Sequence, residues 1–148
     1  MAPQRGNLDQ QVTMEHLSAN TTSQQTFHNI VADRGKSTFN GRIHIHAGAR
    51  NSNANLSNKN IGLGANATIN TKPELEIYND DVSCSHGATI GQLDNDQLFY
   101  LCSRGVDPNA ARQLLCEGFL QQCVGGPLAD RATCLLYTSD AADDDVRV

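Results

Sequence analysis

The chain has 148 residues, enough for one domain, and a formal net charge of −5. Four aspartates and Arg147 within residues 134–148 carry −3 of that, so residues 1–133 hold only −2. Three lysines and eight arginines are scattered, which excludes the basic stripe of a nucleic-acid binder or an anionic-membrane binder. No apolar run reaches the length of a membrane span, and MAPQRGNLDQQ has no signal-peptide h-region. Five irregularly spaced cysteines fit a reduced, cytoplasmic setting better than a disulfide framework.

Residues 10–93 show little helical period. Short alternating runs stand out instead: VTMEHL, STFNGRIHIHAG, NIGLGANATIN, ELEIY and VSCSHGATI. Gly, Asn and Asp separate them. Ile43, Ile45, Leu75 and Ile77 alternate with polar neighbours and are expected to point inward. A sandwich, a barrel and a parallel β-helix all fit, and no strict repeat is visible. Asn-rich turns between short strands favour the β-helix, in which amides can stack from rung to rung.

After Gln92 the pattern changes. Asp94 can cap a helix over 95–104, with Gln97 at the capping-box position and Gly105 as a left-handed stop. Asp107-Pro108 opens a second helix over 108–124, ending before Gly125-Gly126-Pro127. Its apolar arc, from Ala111 through Leu114, Leu115 and Phe119 to Val124, is wider than one buried face requires. That excess fits a partner, or a helix wedged between two parts of its own domain. The tail CLLYTSDAADDDVRV, 134–148, continues neither pattern and resembles a translated sequencing adapter. It is set aside as unrelated to function, and 127–148 is expected to be disordered.

Three places offer chemistry. Asp80-Asp81 point oppositely in an extended chain and read as a turn, not an acid/base pair. His44 and His46 lie on one strand face about 6.7 Å apart. They can chelate a metal only with a third ligand; otherwise they are surface histidines beside Arg42. Cys84 and His86 have the same spacing inside an apolar run. Cys84 suits a small core position, whereas burying His86 costs free energy without a partner. No CxxC motif, P-loop, dinucleotide fingerprint or nucleophile elbow is present. An iron–sulfur cluster usually takes four protein ligands, and this chain offers two.

NTKPELEIYNDDVSCSHGATIGQLDNDQLFYLCSRGVDPNAARQLL, with FNGRIHIHAGA and ANLSNKN, resembles the carboxyl-terminal half of the SufD family, subunits of the SUF iron–sulfur cluster assembly complex. The likeness covers about residues 7–124. It implies a right-handed parallel β-helix over 1–93 and a small helical region over 94–126. It also implies a non-catalytic scaffold that pairs with SufB and binds the SufC ATPase, with Leu98, Phe99, Leu114, Leu115 and Phe119 as the SufC contacts. His86, with Cys84 beside it, would face a SufB cysteine where a cluster forms transiently, and the chain alone would bind none. The family's amino-terminal helices and earlier rungs have no counterpart here, so Met1 reads as an internal methionine of a truncated frame. Two other readings are a metal-binding β-helix protein or enzyme using His44/His46 or Cys84/His86, and a structural β-helix without metal.

Overall fold

The computed structural model describes residues 6–32 and 34–123. Six strands come first: β1 (Asn7–His16), β2 (Thr22–Val31), β3 (Lys36–Ile45), β4 (Ser52–Gly62), β5 (Thr68–Ile77) and β6 (Val82–Gly91). Two helices follow, α1 (Asn95–Ser103) and α2 (Pro108–Gln121). The expectations for 124–126 and for the tail at 127–148 lie outside the described residues.

Each strand pairs in parallel with the next but one, giving two three-stranded sheets ordered β1-β3-β5 and β2-β4-β6. The chain thus winds through three rungs of two strands each, the arrangement of a parallel β-helix. Paired residues are 29 to 32 positions apart, as in Asn7–Lys36 and Lys36–Thr68. The slack lies in the corners, which is why no exact repeat shows in the sequence. The expected run NIGLGANATIN is not one strand: β4 ends at Gly62 and β5 starts at Thr68.

The middle rung carries the core. Along β3 every second residue is buried, with Phe39, Ile43 and Ile45 facing Ala54 and Leu56 of β4. Leu75 packs partly against this cluster, as its alternation implied. Ile77 pairs in register with Ile45 and shares its face, yet it is 43 % exposed. Its strand is the last of its sheet, so no further rung covers it.

Gly41 occupies an inward position of β3. A Cβ there would come within 2.7 Å of the Phe39 ring and 2.8 Å of Leu56 Cδ1. Gly41→Val therefore overpacks the centre and is expected to cost about 1–3 kcal/mol. Urea denaturation reads this directly, and an unchanged midpoint would mean that Phe39 and Leu56 move aside freely.

Amides complete the interior. Asn29, Asn58 and Asn60 are buried, and Asn29 Nδ2 donates to Asn60 Oδ1 at 3.0 Å. Asn60 Nδ2 donates to Asn58 Oδ1 and to the Thr89 carbonyl of β6. The expected amide stacking also appears at a corner. Asn20 and Asn51 both adopt positive φ, of 60° and 50°, a conformation asparagine tolerates better than most residues. Asn51 Nδ2 donates to Asn20 Oδ1 at 2.7 Å across the rungs. Buried His16 is held by Thr21 Oγ1 at 2.6 Å and Ser23 Oγ at 2.8 Å.

A compact unit ends at Leu93 and a second begins at Asp94. In the second, the Asp94 carboxylate accepts from the Asp96 and Gln97 amides, and the Asp107 carboxylate from the Asn109 and Ala110 amides. Gly105 takes φ +88° just beyond α1. These are the caps and the stop read from the sequence. Ala111 is the buried residue of α2.

The end rung and candidate metal-ligand sites

Cys84 and His86 lie on β6, the edge strand of the second sheet. Their register partners on β4 are Ala54 and Leu56, both fully buried. Residues paired in parallel share a face, so Cys84 and His86 stand on the interior face of the end rung. Cys84 is half-buried and packs partly against the core, whereas His86 is exposed on the last strand of its sheet among the described residues. The two readings of this pair therefore meet: both residues occupy core positions, at a place where the core is open. Burial pushes the Cys84 thiol above its ordinary pKa, and a backbone hydrogen bond at Ala54 opposes the shift. Asn55 Nδ2 donates to Ser85 Oγ at 2.7 Å and fixes the outward side of the same strand.

The helical residues divide. Phe99 and Leu114 are 74 % and 51 % exposed, and Tyr100 is exposed beside them in sequence. Leu98, Leu115 and Phe119 are half-buried. An open depression of about 450 Å³ on the helical unit is lined by Asp96, Gln97, Tyr100, Leu101 and Leu115. The helical unit thus carries exposed apolar surface, on fewer of the candidate residues than the sequence suggested.

His44, on the outer face of β3, and His46, the residue just after the strand, are half-buried, with rings stacked at 4.2 Å between centroids. Glu76 lies between Arg42 and His44, 3.5 Å from each. Next to them, Lys72 pairs with Glu74 and holds that carboxyl below its usual range. Glu15, which sequence reasoning passed over, pairs in register with His44. Only the rung spacing, which brings residues about thirty apart side by side, could have pointed to it.

Residues 1–119 match the family described as SUF system FeS cluster assembly, SufBD core domain. The chain belongs to this family of iron–sulfur cluster assembly proteins. It is 41 % identical over 111 residues to the iron–sulfur cluster assembly protein SufD of Escherichia coli, covering 75 % of this chain and 26 % of that protein. It is 47 % identical over 90 residues to a SufBD family protein of Synechocystis, covering 61 % of this chain and 20 % of the relative. SufB of Bacillus subtilis is 32 % identical over 108 residues, covering 73 % of this chain and 23 % of that protein. The chain thus spans about a quarter of the length of the curated relatives it matches. No helix among the described residues is long and apolar enough to cross a membrane.

Proposed function

We propose that this chain is the carboxyl-terminal β-helical part of a SufD-type subunit, a non-catalytic cytoplasmic scaffold of the SUF complex. The observation that carries this reading is His86, exposed on the interior face of an end rung with Cys84 two residues before it. Two donors from one chain cannot complete an iron site, but an imidazole and a partner's thiolate make a mixed N/S pair suited to iron. The end formed by β5 and β6 pairs with SufB, which supplies the cysteine. The cluster forms there transiently, and this chain binds none alone. The helical region over 94–126 binds the SufC ATPase.

Anaerobic reconstitution with SufB and SufC tests the scaffold role. Cluster absorbance is expected only when all three subunits are present. Equal cluster yield without this subunit would remove the scaffold role, and a cluster held by this chain alone would remove the shared site. For the SufC contact, Phe99→Asp and Leu114→Asp are the informative variants, because both side chains are exposed. Leu98, Leu115 and Phe119 are half-buried, so changes there mix folding with binding. Each exposed variant is expected to abolish SufC co-purification and leave the circular dichroism unchanged. Undiminished SufC recovery in both would exclude this surface.

A further inference from the structure

We propose that Glu15, His44 and His46 form a mononuclear site for a borderline divalent cation of the Fe(II)–Zn(II) series, on the outer face of the first sheet. Two imidazoles and one carboxylate are a donor set such ions favour. The fold builds the set from distant sequence. His46 follows directly on the end of β3 with its ring stacked on that of His44, and the β1–β3 register sets Glu15 beside His44. One donor atom from each of the three lies within 4.8 Å of the others.

The histidine environment favours a ligand over a plain surface pair. His46 Nε2 is buried and has no hydrogen-bond partner among the described residues. A surface histidine would turn that nitrogen to water, and a buried unpaired one costs free energy. A metal ion would satisfy it. On the far side of His44, Glu76 Oε2 stands 3.5 Å from Nδ1. A carboxylate behind the ring is the arrangement common for metal-bound histidines. Bonds of about 2.0–2.2 Å put tetrahedral donors about 3.3 Å apart. Loading therefore closes the three donors by up to about 1.5 Å and turns the stacked rings toward each other, through torsions that are soft. Three protein ligands leave at least one position for water or a small ligand. This site is separate from the Cys84–His86 rung and does not depend on its role.

The test is a cobalt(II) titration of the chelator-stripped 148-residue chain, followed in the visible region, with zinc(II) competition. One equivalent is expected to bind, with the d–d bands of a low-coordinate N/O site and no thiolate charge-transfer band. His44→Ala and His46→Ala are expected to lower affinity by more than about 100-fold, and Glu76→Gln by about 10–100-fold. Glu15 is exposed, so Glu15→Gln leaves the fold intact and is expected to weaken binding at least about tenfold. The double variant Cys84→Ala, His86→Ala is expected to bind as the parent does. Failure of the parent to bind, parental affinity in Glu15→Gln or His46→Ala, or loss of binding in the Cys84→Ala, His86→Ala variant would each overturn the site.

Discussion

His86→Ala, introduced into the complete subunit and combined with SufB and SufC, is expected to abolish cluster formation while the complex still assembles. His86 is exposed and at the edge of the stack, so its loss removes little packing. Surface changes of this kind usually stay within about 0.5 kcal/mol. Under the proposed function, what disappears is the imidazole offered to the partner, and with it the second half of the iron site. His86→Cys is expected to retain part of the function, since a thiolate also binds iron. Cys84→Ala should be milder than His86→Ala, because the thiol packs against the core and burial disfavours its thiolate. Complementation of a SUF-dependent strain, beside a pull-down of the complex, decides the matter. Full complementation by His86→Ala, or a failure that tracks lost assembly, would remove the ligand role.

Phe39→Ala is expected to produce the largest stability loss in the β-helical unit, about 3–5 kcal/mol. Phe39 is 1 % exposed in the middle rung, and its ring meets Phe27 at 4.8 Å between centroids. Typical domains hold only about 5–15 kcal/mol in all, so the variant should sit near its unfolding threshold. Phe39→Leu preserves most of the volume and should lose much less. Urea denaturation of the three proteins side by side would show the order, and equal midpoints would contradict the central place given to this ring.

Parts of this structure were legible at the level of residues. Asp94, Gly105 and Asp107-Pro108 announced both helices, because capping is a local chemistry. Ile43 and Ile45 announced β3, because its interior face is aliphatic. β2 was not announced. Its buried positions include Gln25 and Asn29, and β4 buries Asn58 and Asn60. Strands whose inward residues are amides read as loops, since hydropathy cannot tell a solvated asparagine from a stacked one. Ile77 was read correctly for face, but its 43 % exposure was not legible, because alternation says nothing about where a stack stops. The end-rung position of His86 was not legible in spacing or composition. The family likeness implied only a place facing a SufB cysteine, and Glu15 required the register between rungs.

The buried amide run from Asn29 through Asn60 to the Thr89 carbonyl also has a mechanical meaning. An aliphatic column is permissive: a strand displaced by two residues brings the same face inward and still finds methyl groups to touch. A pair of buried amides is less permissive, because side-chain donor and side-chain acceptor must stand at the same height. Asn60 grips β6 at Thr89, three residues from His86, and is itself gripped by Asn29 from the rung below. The asparagines thus act as an index pin. They give up some hydrophobic stabilisation and in return fix how far along its own axis β4 sits against β2; the bond from Asn60 to β6 goes to a backbone carbonyl, which recurs every two residues. Under the proposed function the strand that carries His86 is laid on this indexed β4, and a greasier interior would hold that register less well.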